Sequence, residues 1–71
     1  MSVGEAFEHY AVAYKRSIVL YQQAVVLGAA GREDDAKARM LRRATAATEA
    51  MRLRKLVDEA LADEARREMR A

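Results

Sequence analysis

Five apolar or near-apolar columns recur every seven residues along the first half of this 71-residue chain. Phe7, Tyr14 and Tyr21 make one column, Ala11, Ile18 and Val25 a second, and Tyr10, Ser17 and Ala24 a third. Ala13, Leu20 and Leu27 make the fourth, and Val12, Val19 and Val26 the fifth. Only the columns Glu8/Lys15/Gln22 and His9/Arg16/Gln23 are polar. A heptad repeat in an unbroken helix keeps one face against a neighbour along its whole length. Five columns of seven exceed what one partner helix covers, so the repeat calls for more than one neighbour.

On a helical wheel the columns of Phe7, Tyr10, Ala11 and Ala13 form one arc of about 160°. The valine column stands apart, between the two polar columns, as a second contact line for a partner helix. The three tyrosines share the helical spacing of the arc. They read as walls of a core with hydroxyls at its rim, not as a stacking or catalytic set.

With no Pro and three Gly, glycine must end the helices. Ser2, followed three residues later by Glu5, predicts an N-cap with a capping box. Gly28 and Gly31 predict a C-cap and a tight reversal. Glu33, Asp34 and Asp35 suit the start of a second helix, and Arg66, Arg67 and Arg70 its end. The expected organisation is one domain: a helix over about 4–29, a turn over 28–33 and a helix over about 34–68. A short connection between long helices favours an antiparallel pair.

Pairing outward from the turn predicts Tyr21 near Met40, Tyr14 near Ala47, Tyr10 near Met51 and Phe7 near Leu53 or Arg54. Large residues would then meet small or flexible ones. The second helix reads as two stripes. Met40, Ala44, Ala47 and Met51 occupy its first half, and Ala50, Leu53, Val57, Ala60 and Leu61 its second, with Leu56 beside them. The displacement suggests that the second half touches something the first does not. Residues after about Asp58 would overhang by roughly 20 Å at 1.5 Å per residue, with Asp63 and Arg67 paired four apart.

Hydrophobic residues make up 52% of the chain and charged ones 34%, the balance of a soluble helix-rich domain. The net charge of +2 is too mild to make attraction to nucleic acid or anionic lipid the leading property. No basic start followed by an apolar stretch marks a signal peptide. The longest apolar run, Ala24 to Ala30, is far short of the roughly 20 residues of a membrane span. The absence of Cys excludes disulfides and thiolate metal sites and suits a cytoplasmic protein. Domains below about 70–80 residues seldom stand on one core without a staple. Oligomerisation or docking on a larger protein is the staple left.

No catalytic constellation is legible. There is one His, His9, and Ser occurs only at 2 and 17. The carboxylate pairs Asp34/Asp35, Asp58/Glu59 and Asp63/Glu64 are sequence neighbours and diverge on a helix. The chain is therefore read as no enzyme, with no cofactor and no metal. Arg39, Arg42 and Arg43 are placed on one face, a possible phosphate-contacting set in a small basic nucleic-acid-binding dimer.

The stretch Tyr14 to Leu27 resembles the second helix of microtubule-interacting-and-transport (MIT) domains. The resemblance rests on Tyr14, Ser17, Leu20-Tyr21 and Ala24-Val25, with Leu41-Arg-Arg43 and Glu49-Ala-Met-Arg-Leu53 loosely like the family's third helix. It implies a three-helix bundle whose grooves capture amphipathic C-terminal helices of ESCRT-III-type proteins. By resemblance, that groove would lie between Ile18–Val25 and Ala44–Leu53.

The residues themselves favour an all-α antiparallel hairpin completed as a four-helix bundle by dimerisation. Its function would be a non-enzymatic interaction or assembly module whose partner is itself or a helix of another protein. Val12, Val19, Val26, Leu53, Leu56, Val57 and Leu61 are the candidate contact residues. Three alternatives follow: an MIT-like binder of a partner's helix, an adaptor or inhibitor docked on a larger complex, and the nucleic-acid-binding dimer.

Overall fold

The computed structural model describes residues 1–70. They form two helices, α1 (Val3–Ala29) and α2 (Glu33–Arg70), and no strand. The helices lie side by side in a rod 60 Å long and 13 Å across at the Cα atoms. Ser2 caps α1: its Oγ accepts from the Glu5 backbone N–H at 3.2 Å.

The reversal is a Schellman motif. Gly31 N–H donates to Gly28 C=O at 3.1 Å and Arg32 N–H to Leu27 C=O at 2.9 Å. Gly31 takes φ +77°, a left-handed conformation that costs a side-chain-bearing residue about 1–2 kcal/mol. The Arg32 guanidinium then bonds Asp35 at 2.8 Å across the first turn of α2.

The interhelical seam alternates steps of three and four on both helices, as an antiparallel coiled coil requires. On α1 it runs Val3, Ala6, Tyr10, Ala13, Ser17, Leu20, Ala24 and Leu27, all buried or half-buried. On α2 it runs Ala36, Arg39, Arg43, Ala46, Ala50, Leu53, Val57 and Ala60, again buried or half-buried. Small residues fill half of each side. Ser17 fits because its hydroxyl donates to Tyr14 C=O at 2.7 Å, leaving no buried polar atom unpaired. Leu20, Leu53 and Val57 are the large aliphatic side chains that the seam buries. Each contributes about 1.5–3 kcal/mol.

The seam corrects three expectations. First, α2 has one continuous inner stripe. Met40, Ala44 and Met51 lie outside it, because Arg39 and Arg43 occupy seam positions that an apolar pattern passes over. Their methylene stems pack while the charges lean outward; the Arg43 guanidinium lies over the Tyr21 ring at 4.9 Å. Second, the register is displaced by about three residues. Tyr10 faces Arg54 at 5.8 Å and packs against the cluster of Ala13, Ala50 and Leu53. The cause is the turn, whose three residues Ala30, Gly31 and Arg32 set the centre of pairing near 31–32. Third, the large residues that enter the seam from α1 are Val3, Tyr10, Leu20 and Leu27, while Phe7, Tyr14, Ile18, Tyr21 and Val25 are left outside.

The C-terminal overhang is also shorter than expected. Met1, Ser2 and Val3 reach Ala60, Asp63, Glu64 and Arg67. Only about two turns beyond Asp63, roughly 10 Å, project past α1. Asp63 pairs with Arg66, one residue earlier than the Arg67 expected, and α2 stays helical to Arg70.

Candidate functional site

The seam uses two of the five columns of α1 and leaves three outside. Two of these form a second heptad line, Phe7, Ala11, Tyr14, Ile18, Tyr21 and Val25, in which steps of four and three alternate as they do in the seam. It is open to solvent: Phe7 is 57% exposed, Tyr14 51% and Tyr21 47%. Met40, Ala44, Ala47 and Met51 make the matching line on α2, and Met51 is 75% exposed. Tyr21 and Val25 share one open groove with Met40, Leu41 and Lys37, so the two lines form a single face across both helices.

Aromatic contacts order this face. The Phe7 and Tyr10 rings lie 6.3 Å apart, tilted by 51°, and Tyr10 stacks on Tyr14 at 5.8 Å. The ion pair of Arg54 with Asp58 at 3.6 Å bounds it at the open end of the hairpin. The exposed parts of Phe7, Tyr14, Ile18, Tyr21, Val25, Met40 and Met51 together present on the order of 800 Å². One partner in a standard-sized stable interface contributes about that much.

The third unused column, Val12, Val19 and Val26, lies on the opposite long side of the rod. Val12 lines a groove with His9, Arg16, Arg42, Thr45 and Glu49. Val19 and Val26 line a second depression farther along the same side with Gln22, Gln23, Leu27 and Arg39. Here Glu49 accepts from Arg52 at 2.5 and 3.0 Å. That hydrogen bond and the Arg52 charge hold the Glu49 carboxyl below its ordinary range and the Arg52 guanidinium above its own. Arg16, Arg39 and Arg42 have no ion-pair partner among the described residues.

The seven candidate contact residues therefore do not form one patch. Val12, Val19 and Val26 are exposed on the arginine side. Leu53 and Val57 are buried in the hairpin's own seam, and Leu56 is half-buried against Ala13, Ala50 and Leu53. Leu61 is exposed and continues the Met40 side, being three heptads on. The basic trio divides as well. Arg39 and Arg42 share a groove, whereas Arg43 leans over Tyr21 on the aromatic side.

No protein-family model, curated protein or solved structure matches this chain. The likeness to MIT domains rests on Tyr14–Leu27 with Leu41–Arg43 and Glu49–Leu53 alone. Among the described residues no helix is long and apolar enough to cross a membrane. Nor do three or more His, Asp or Glu side chains gather as a metal-binding group among them. What the hairpin offers is two long faces, one aromatic and one of valines flanked by arginines.

Proposed function

We propose that this chain is a non-enzymatic assembly module that pairs with a second copy of itself through the aromatic face, forming a four-helix bundle. One observation carries the reading: the hairpin is inside out by size. Alanine and serine are six of the nine buried residues of its seam, while Phe7, Tyr14, Ile18, Tyr21 and Met51 stand in solvent. A chain this short gains little stability from such a seam alone. Contiguous apolar patches of this extent mark association sites on soluble proteins.

The two heptad lines of α1 support a bundle in particular. A helix in a four-helix bundle packs against two neighbours, and each contact needs its own line of knobs. The Ser17/Ala24 and Ala13/Leu20 columns serve the hairpin partner. The Phe7/Tyr14/Tyr21 and Ala11/Ile18/Val25 columns serve the second copy. Between Lys37 and Arg54 the charge on the aromatic face is that of Arg43, whose guanidinium is engaged over the Tyr21 ring.

Light scattering on the wild type and on Ile18→Asp tests the reading. Ile18 is at the middle of the aromatic face and outside the seam, so the variant keeps its helices and loses its dimer. An Ile18→Asp protein that remains dimeric at the wild-type concentration dependence would overturn the assignment of this face.

A further inference from the structure

We infer that the groove on the valine side docks an acidic amphipathic helix supplied by a different protein. The groove is an apolar floor with a positive rim. Ala13, Ala46 and Leu53 lie at its floor, Val12, Val19 and Val26 form an exposed apolar edge along α1, and Arg16, Arg39 and Arg42 stand along it. The carboxylates beside it, Glu49 and Asp35, are already engaged by Arg52 and Arg32. Three guanidinium groups beside an apolar strip, with no anion to satisfy them among the described residues, are complementary to a helix carrying aliphatic residues on one stripe and Asp or Glu beside it.

Charge also selects among occupants. A second copy presenting its own α1 would bring Lys15 and Arg16 against Arg16, Arg39 and Arg42, and like charges in close apposition oppose that pairing. A duplex nucleic acid would meet valines where it needs donors, and Arg43 is turned to the other side of the rod. From His9 to Val26 the two depressions together run about 26 Å along α1, which matches roughly 17 residues of helix. It lies on the opposite side of the hairpin from Ile18 and Val25. The inference therefore does not depend on self-association through the aromatic face.

The probe is a fluorescein-labelled designed peptide of about three heptads, with Leu at the seam positions and Glu at the flanks. A second peptide carries Lys in place of Glu. Fluorescence anisotropy with the full chain should show binding of the Glu peptide that is at least about tenfold tighter than that of the Lys peptide. The preference should shrink as salt rises from about 50 to 300 mM. Val19→Glu, and separately Val26→Glu, should each weaken the Glu peptide about tenfold or more, while circular dichroism stays that of the wild type. Arg16→Glu with Arg42→Glu should reverse the preference toward the Lys peptide, which a merely damaged fold would not do.

Equal binding of the two peptides, no binding of either, or indifference to Val19→Glu would overturn the inference. So would a duplex DNA of about 20 base pairs that binds more tightly than the Glu peptide and is lost in the double Arg variant. Ile18→Asp should bind the Glu peptide as the wild type does. Failure of the dimer is thus read from mass, and failure of the groove from anisotropy.

Discussion

Replacing Leu53 by Ala should cost far more than replacing Met51 by Ala, although the two lie two residues apart on one helix. Leu53 is 6% exposed, clustered with Ala13 and Ala50 and packed by Tyr10 and Leu56. Buried Leu→Ala changes cost about 2–5 kcal/mol, less where neighbours collapse into the space. The seam is one side chain deep and open at both edges, so Tyr10 and Leu56 can move inward; about 2–3 kcal/mol is expected. A chain of this length has roughly 4–10 kcal/mol in total at 0.05–0.15 kcal/mol per residue. The loss should therefore lower Tm by roughly 10–20 °C at about 4–8 °C per kcal/mol. Met51→Ala removes an exposed side chain and should cost below about 0.5 kcal/mol in the hairpin itself. Thermal melts followed by circular dichroism at 222 nm, at the lowest workable concentration, give both numbers. Equal losses for the two variants would refute the seam and restore the stripe of Met40, Ala44, Ala47 and Met51 as the inner one.

The turn offers a pair of opposite sign. Gly31→Ala should destabilise by about 1–2 kcal/mol because of its positive φ. Gly28→Ala should stabilise by about 0.5–1 kcal/mol, since the added methyl meets only the Ala36 Cβ at 4.0 Å inside a helix; urea melts distinguish them. Glu49 titrates below its ordinary value because Arg52 hydrogen-bonds it. The stability this pair adds is present above the unfolded carboxyl's pKa and lost as pH falls through the folded one. Glu49→Gln should flatten that part of the acid limb of Tm against pH while changing the neutral Tm little, as exposed pairs contribute little. Tyr14→Asp should abolish self-association with its helical signal retained, and a dimer that survives it would move the interface elsewhere.

Much of the fold was legible because its determinants are local. Ser2 with Glu5, Gly28 with Gly31, and the acids at 33–35 announce the helix ends through capping and dipole chemistry that needs no tertiary context. Which columns face inward was not legible. Periodicity shows that Tyr10/Ser17/Ala24 and Phe7/Tyr14/Tyr21 are both apolar lines. It does not say that the smaller one is the seam, which follows only from how closely two backbones approach. On α2 the amphipathic chemistry of Arg39 and Arg43 concealed the inner stripe, since their stems are buried and their charges are not. The same two residues divided the basic trio, sending Arg43 to the aromatic side. A count of three-and-four steps that admitted arginine stems would have found the whole line from Ala36 to Ala60.

The valine line was visible as a column but not as a groove. Its arginine neighbours come from both helices, and only the register of the hairpin brings Arg39 and Arg42 beside Val26 and Val12. Conversely, Leu53 and Val57 looked available because their stripe was read as displaced from that of Met40, Ala44, Ala47 and Met51, and so as touching something beyond α1. The turn sets the register so that α1 covers both.

Sedimentation equilibrium of the unmodified chain across the micromolar range bears most directly on the aromatic face as a pairing surface. A dimer should be found at twice the chain mass of 8.0 kDa, dissociating only on dilution and with loss of helical stability. A stable, cooperatively melting 8.0 kDa monomer throughout that range would contradict it.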